Sequence, residues 1–346
     1  MIKTIKKYGV GLALIAGLGT TGAASAETTM VVGTWLPPTS VQNAVVWPTW
    51  GKWVEEATEG RVKVKIEYDV GHPKSYFQLV EDGVIDAGFS YHGYVPGRFR
   101  LPMVAEQPGM GVGAEAASVA LWRVQQKYFN TADEFSGLEV VGMFTHGPGQ
   151  LMTTIPIERI EDIKDKKIRI GGGVQADIAE RLQAAPVSAP ATKLYEMMQQ
   201  GVVDGTLLPV GQQKAQRLAE VTKYLTTIPG GMYMGTFSIF INPDFLADLD
   251  PKDREAIMSV SGEKLSALAG KAWEETDYEG LEFAREQGVT IIEHDRNAPF
   301  TQAFLKLSEG MDQAWIASVA DLNVDAAGAL AELREIAREY EARKRE

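Results

Sequence analysis

One short pattern occurs twice in the sequence, as EDGVIDAG at residues 81–88 and as QQGVVDGT at residues 199–206. In each copy a glycine, two β-branched residues, an aspartate and a small residue follow a segment with helical spacing. Glycine is favoured after a helix because it tolerates positive φ, and the aspartate is expected to cap the next segment. The copies lie 118 residues apart, from Gly83 to Gly201, too far for a stacked repeat. They predict equivalent corners of two similar α/β domains, with convergence of common helix-to-strand signals as the alternative.

Strand and helix patterns alternate ahead of both corners. Residues 47–58 have helical spacing and residues 61–68 alternate as a strand before the first corner. Before the second corner, residues 166–170 (KKIRI) have a strand pattern and residues 175–183 a helical one. Strands that alternate with helices predict parallel sheets, and 346 residues suit about two such domains.

The longest helical candidate covers residues 250–287. Asp250 is expected to be its N-cap, Pro251 its first residue and Gly288 its end. An unbroken helix of this length would extend about 57 Å and would run across both domains. Two or three helices in series are the alternative, because glycines inside the segment offer bend points: Gly262, Gly270 and Gly280. The C-terminus, residues 324–346, is predicted to be a polar surface helix.

The first 26 residues have the pattern of a secretory signal peptide. Lys3, Lys6 and Lys7 precede an uncharged apolar stretch, which closes with Ala-Ser-Ala at residues 24–26. The apolar part is short for a membrane span, so an uncleaved anchor is the weaker alternative. We expect cleavage after Ala26 and a mature protein that occupies the bacterial periplasm.

Composition excludes several classes of protein. The net charge of −12 disfavours binding to nucleic acid, and the absence of cysteine excludes thiol nucleophiles, disulfides and Cys-ligated metals. The four histidines form no H-x-x-x-H pair, so no metal site is expected. No G-x-S-x-G elbow or Walker A loop is present either. No cofactor, metal or catalytic residue is therefore predicted.

Three features point to a ligand. Gly171-Gly172-Gly173 follows a strand and opens a helix, where an anion could approach the helix N-terminus. Arg169 lies on the preceding strand, where an arginine within a sheet needs an anionic partner; a surface arginine is the alternative. Trp35 and Tyr91 each fall just past a strand, at the sheet edge where α/β proteins bind ligands, although packing between domains would explain them equally well.

The order and spacing of several segments resemble the periplasmic solute-binding proteins of tripartite ATP-independent periplasmic (TRAP) transporters. The segments that carry the resemblance are EDGVIDAGFS (81–90), IEDIKDKKIRI (160–170), LYEMMQQGVVDGTLLP (194–209) and FINPDFLADLDPKDREAI (240–257). The resemblance implies a two-lobed α/β periplasmic binding protein fold (type II-like), with a long helix spanning both lobes. It also implies a cleft that closes on an organic acid, a membrane permease as partner, and no catalysis.

The resemblance assigns Arg169 as the residue that binds the ligand carboxylate. Three departures from the family pattern change the expected ligand. Leucines 207 and 208 replace polar residues, Gly149-Gln150 stands near the place of a second arginine, and the Glu-Trp pair of cation-binding members is absent. Sialic acid, a second carboxylate clamp and a bound sodium are therefore not expected. We predict a small organic carboxylate with an apolar, aromatic or onium tail.

The predicted division places residues 27–147 and 234–274 in lobe I, and residues 148–233 and 275–346 in lobe II. A secreted α/β enzyme that binds a nucleotide on Gly171–Gly173 is the alternative function, and a pure scaffold is a third. The predicted ligand contacts are Arg169, Gln150, Trp35, Tyr91, His92, Gly172, Leu208 and Gln212.

Overall fold

The computed structural model describes residues 27–344. The predicted signal peptide and its cleavage site lie outside the described residues. No helix within 27–344 is long and apolar enough to cross a membrane.

The described chain alternates strands and helices. The strands are β1 (Thr28–Thr34), β2 (Val62–Tyr68), β3 (Ala87–Tyr91), β4 (Glu139–Thr145), β5 (Gly149–Thr153), β6 (Lys167–Ile170), β7 (Ala185–Ser188), β8 (Gly205–Pro209), β9 (Tyr224–Thr227), β10 (Thr236–Ile241) and β11 (Thr290–Glu293). The α-helices are α1 (Trp47–Ala57), α2 (Tyr76–Glu81), α3 (Ala114–Val124), α4 (Val174–Arg181), α5 (Leu194–Gln199), α6 (Gln212–Ala215), α7 (Pro243–Asp248), α8 (Pro251–Ser259), α9 (Glu263–Glu286), α10 (Pro299–Leu307), α11 (Met311–Ser318) and α12 (Ala326–Lys344).

The strands form two sheets, which confirms the two-lobed α/β architecture. The first has the order β2-β1-β3-β10-β4 and the second β11-β9-β5-β8-β6-β7. Both are mixed rather than parallel, because β10 is antiparallel to β3 and β4, and β5 is antiparallel to β8 and β9. The chain crosses between the sheets at residues 146–148 and again at 228–235. Each crossing strand enters its sheet against the direction of its neighbours, a geometry that the local pattern does not encode.

The two repeated corners have the same geometry. Gly83 has φ +66° and Gly201 has φ +69°, as expected after a helix. The expected capping role of the aspartates is wrong, because each carboxylate binds a neighbouring strand instead. Asp86 Oδ2 accepts the Val31 N–H at 2.7 Å, and Asp204 Oδ2 accepts the backbone N–H at the start of β6 at 2.8 Å. Each aspartate thus ties the strand that follows it to a parallel neighbour, β3 to β1 and β8 to β6.

The predicted helix over residues 250–287 is divided into α8 and α9 at Gly262. This glycine has φ +66° and donates its N–H to Val141 O at 2.7 Å, so the chain turns there. Helix α9 has 24 residues and extends about 36 Å. It contacts α3 and β4 in the first lobe and α6 in the second, so α9 alone spans both lobes.

The C-terminal helix α12 differs from the prediction of a surface helix. One face is buried against α3 of the first lobe, and its buried residues are Ala326, Ala329, Leu330, Leu333 and Ala337. This packing places α12 with lobe I, whereas the predicted division assigns it to lobe II. The sequence shows the paired charges on the other face of α12 but not this buried face. Small residues such as alanine occur both in helix contacts and on solvated surfaces, so their pattern does not distinguish the two.

Candidate ligand-binding site

A cavity lies between the two sheets. The first lobe contributes Trp35, Tyr91 and Phe237, and the second contributes Arg169 on β6 and Leu208 on β8. The remaining lining residues are Leu36, Tyr94, His146, Gln175, Ala191, Pro209, Gln212, Gln216, Tyr233 and Trp273. Five predicted contacts, namely Arg169, Trp35, Tyr91, Leu208 and Gln212, therefore lie together in one cavity.

Arg169 is a buried cation, with 1% of its surface exposed, so the surface alternative is wrong. Its Nε donates to Ala189 O at 2.8 Å, which orients the guanidinium. Within residues 27–344 no carboxylate lies within 4.0 Å of this guanidinium. Burying a charge without a partner is costly, so the arrangement suits an anion brought by a ligand.

The glycine loop does not offer its helix N-terminus to a ligand, contrary to the prediction. The Val174 N–H donates to the buried carboxylate of Glu106 at 3.0 Å, and the Gly171 N–H donates to Gln175 Oε1 at 3.1 Å. Gly172 lies outside the cavity lining. It has φ +105°, and a Cβ there would lie 2.1 Å from Gly93 O, so glycine is needed for the lobes to approach each other.

Gly171 lies close to three side chains that line the cavity. A Cβ on Gly171 would lie 3.0 Å from Tyr91 Cε1, 3.4 Å from Arg169 Nη2 and 3.4 Å from Gln175 Nε2. Gln175 Oε1 accepts the Gly171 N–H and Gln175 Nε2 donates to Tyr91 Oη at 3.5 Å, so the amide is held in one orientation. The Arg169 guanidinium and the Gln175 amide therefore line the cavity close to each other, and Arg169 is the charged donor of the two.

The other polar groups of the cavity are neutral. Burial lowers the pKa of His146 to about 4, so its ring is uncharged at neutral pH. His146 Nδ1 lies 2.6 Å from Gly147 O, and Nε2 accepts the Gly235 N–H at 3.0 Å. Burial also raises the pKa values of Tyr91 and Tyr233. Among the lining residues in the described part of the chain, Arg169 is thus the one that carries a charge near pH 7.

The aromatic walls are held by hydrogen bonds and ring contacts. Trp35 Nε1 donates to Phe89 O at 3.2 Å, and the two rings stack with centroids 5.3 Å apart. Tyr91 packs against Phe237 at 5.4 Å, and its hydroxyl donates to Gly172 O at 3.0 Å. Trp35 and Tyr91 therefore pack between elements and line the cavity at once. Such walls form a fixed, mostly apolar surface.

Besides Gly172, two more predicted contacts lie away from the cavity, and so does Leu207. Gln150 bonds the backbone N–H and C=O of Ile228, at 3.0 and 3.1 Å, and so ties β5 to a crossing segment. His92 is buried and bonds Thr236 Oγ1 at 2.9 Å. Leu207 is on the opposite face of β8 from Leu208 and packs in the hydrophobic core of the second lobe.

Several lining residues were not predicted. His146 directly follows β4, so the strand-end rule that selected Trp35 would also have selected it. Tyr233 lies in a crossing segment and Trp273 in the middle of α9, and neither position carries a local signal. No group of three or more potential metal ligands occurs in the described part of the chain.

Solved structures similar to this chain include three receptors of known ligand. One is a TRAP periplasmic solute-binding protein from Bordetella bronchiseptica with bound (R)- and (S)-mandelate, 33% identical with a TM-score of 0.87, covering 90% of this chain and 99% of that one. A second, from Rhodoferax ferrireducens with copurified benzoate, is 26% identical with a TM-score of 0.84, covering 90% and 98%. A third, from a marine metagenome and specific for aromatic acid ligands, holds 3-hydroxybenzoate; it is 27% identical with a TM-score of 0.84, covering 91% and 99%.

The family model described as bacterial extracellular solute-binding protein, family 7, matches residues 32–313. This match and the solved structures confirm the resemblance to TRAP solute-binding proteins, and neither supports the nucleotide-binding enzyme. The chain is a TRAP-type solute receptor and belongs to family 7 of the bacterial extracellular solute-binding proteins.

Proposed function

We propose that this receptor captures aromatic monocarboxylates in the periplasm and delivers them to a TRAP-type permease in the inner membrane. The observation that carries the proposal is the charge of the cavity: Arg169 is its one cation, and no carboxylate within residues 27–344 neutralises it. One carboxylate on the ligand would balance this charge, whereas a second would be buried without a cation.

The walls support an aromatic rather than a sugar-like tail. Trp35, Phe237 and Trp273 face the cavity, and Leu208 stands where polar members of the family carry ligand contacts. A flat ring gains contact with such walls, while several hydroxyls would lose hydrogen bonds to water. The aromatic acids held by three similar receptors favour an aromatic tail over the aliphatic and onium alternatives.

Calorimetry with a small panel of compounds tests the proposal. Benzoate, 3-hydroxybenzoate and mandelate are expected to bind, whereas benzamide, which has the ring without the charge, should bind at least about tenfold more weakly. Succinate, which has a second carboxylate and no ring, should not bind. Preference for succinate over every aromatic acid would overturn the proposed ligand class.

Capture would proceed by closure of the two lobes around the crossing segments and α9. The proposed lobes are those predicted, with α12 moved to lobe I because of its contacts with α3. Small-angle scattering should give a smaller radius of gyration with saturating ligand than without it. An unchanged radius would contradict closure.

A further inference from the structure

Glu106 is a fully buried carboxylate that lies behind the cavity. It follows a short 3-10 helix, Leu101–Ala105, which contacts α3, β10 and α12 of the first lobe. Its Oε1 accepts the Thr236 N–H at 3.1 Å and the Thr236 Oγ1–H at 2.8 Å, both from β10. Its Oε2 accepts the N–H of Val174, the first residue of α4, at 3.0 Å. One side chain thus bonds the first lobe through one oxygen and the second lobe through the other.

A buried chain of hydrogen bonds orients this carboxylate. Because Thr236 Oγ1 gives its proton to Glu106, His92 Nδ1–H must donate to Thr236 Oγ1, at 2.9 Å. His92 Nε2 then accepts from Ser238 Oγ at 3.1 Å. Burial lowers the pKa of His92 to about 3, so the ring stays neutral and serves only to position its neighbours. This assigns His92 a role in orienting Thr236 and Glu106 rather than in touching ligand.

Other hydrogen bonds also cross between the lobes near the cavity. Tyr91 Oη donates to Gly172 O at 3.0 Å, and the Ala191 N–H donates to Tyr94 Oη at 2.9 Å. Glu106 differs from both tyrosines because its one side chain accepts backbone N–H groups from both lobes. When the lobes separate, the bond to Val174 must break while the bonds to Thr236 remain.

We propose that Glu106 is the positioning residue that holds the closed cleft, by binding the start of α4 and thereby the loop that follows Arg169. The loop Gly171–Gly173 joins β6 to α4, so a fixed helix start also fixes the positions of Arg169 and Gln175 relative to each other. This inference concerns closure and does not depend on which acid the receptor captures.

The obvious isostere cannot replace this carboxylate. If a glutamine at this position placed its amide nitrogen near Val174, two N–H groups would face each other. If it placed the nitrogen near Thr236, the amide would face the Thr236 N–H in the same way. Only a group that accepts on both sides satisfies the donors, so Glu106→Gln breaks one lobe's contact while keeping size and shape.

The chain has no cysteine, so pairs of spin labels can be introduced without background. Lys52→Cys on α1 and Lys306→Cys on α10 place one exposed label on each lobe. Double electron–electron resonance then measures the distance between the two labels with and without benzoate, and stopped-flow fluorescence measures the rate of benzoate release. Asp86→Asn is the matched control, because its carboxylate also accepts a backbone N–H but within one lobe.

Glu106→Gln is expected to shift the labelled pair to longer distances and to speed benzoate release by about tenfold to a hundredfold. Asp86→Asn should leave both unchanged. Distances and release rates equal to those of the wild type would overturn the proposal. If Glu106→Gln does not fold, Thr236→Val tests the inference instead, because it removes the hydroxyl donor to Glu106 and keeps the backbone N–H. A longer distance between the labels than in the wild type supports the inference, and an unchanged distance overturns it.

The proposed ligand class fails in a different way. A wild-type protein that no aromatic acid closes would contradict the ligand class. The distance in the ligand-free wild type and in Glu106→Gln would still differ if Glu106 holds the lobes together. Equal ligand-free distances in the wild type and in Glu106→Gln, together with equal responses of the two proteins to any acid that binds, would contradict the role of Glu106 and leave the ligand class intact.

Discussion

Replacing Arg169 by alanine should remove most of the binding of an aromatic acid. The Nε of Arg169 is already used by Ala189 O, so its two terminal nitrogens remain for the ligand. Without the guanidinium, the ligand carboxylate would be buried beside apolar side chains and without a cation. Breaking a buried charge pair in this way costs about 3–5 kcal/mol, which is several hundredfold or more in affinity. Arg169→Lys should fail too, because one ammonium cannot satisfy Ala189 O and a carboxylate with the same planar fork.

The assay is calorimetry on wild type, Arg169→Ala and Arg169→Lys with benzoate and with benzamide. Wild type should prefer the charged compound, and Arg169→Ala should lose that preference. Arg181→Ala is the matched control, because this arginine of the same lobe donates to Leu307 O and Glu309 O, away from the cavity. Benzoate binding by Arg169→Ala within threefold of wild type, or equal binding of benzamide by wild type, would refute the carboxylate assignment.

Three further predictions concern the two faces of β8, the buried Glu106 and the N-terminus. Leu208→Asn should keep the melting temperature within a few degrees and change which ligands bind. Leu207→Asn should instead lower the unfolding free energy by about 1–3 kcal/mol and leave ligand choice unchanged. The reverse result in denaturation and calorimetry would contradict the two assigned faces of β8. Burial raises the pKa of Glu106 to about 7 in the closed form. Because opening should return this pKa toward its ordinary value, the closed form binds more protons than the open form near pH 7. Benzoate affinity should therefore rise by up to about tenfold from pH 8 to pH 6. The rise should vanish in Glu106→Gln, and a rise that persists there would point instead to Asp277, whose pKa burial also raises to about 7. Intact mass of the periplasmic protein should show Glu27 as the first residue, and a soluble form that retains residues 1–26 would disprove the predicted cleavage.

The groups around Glu106 set the sign of its pH dependence. Burial is the main cause of its raised pKa, and the Asp177 carboxylate adds to it. The hydrogen bonds from Val174 and Thr236 act in the opposite direction. Tyr91 and His92 remain neutral near pH 7, so neither supplies a compensating charge. Protonated Glu106 can still bond Thr236 if the chain through the neutral His92 reverses its donors, so closure tolerates both protonation states.

Local signals predicted those features that a residue imposes through its own chemistry. The repeated corners predicted two α/β lobes because glycine at positive φ ends a helix in any context. Arg169 was predictable because an arginine on a covered strand needs a partner wherever the strand is placed. Leu208 and Gln212 follow the same corner and reach the cavity with it.

Contacts between distant segments account for the features that the local pattern left open or did not predict. The choice of Gly262 among three possible bend points, the antiparallel crossing strands and the buried face of α12 all arise from such contacts. The helix start expected to bind an anion is bound by Glu106, 68 residues away. The amino-acid pattern alone correctly predicted two lobes and the receptor family, and it singled out Arg169 as the proposed cation of the site. Which donors remain free for a ligand was settled by the folded chain, because a hydrogen bond is used by whichever acceptor packing brings within about 3 Å.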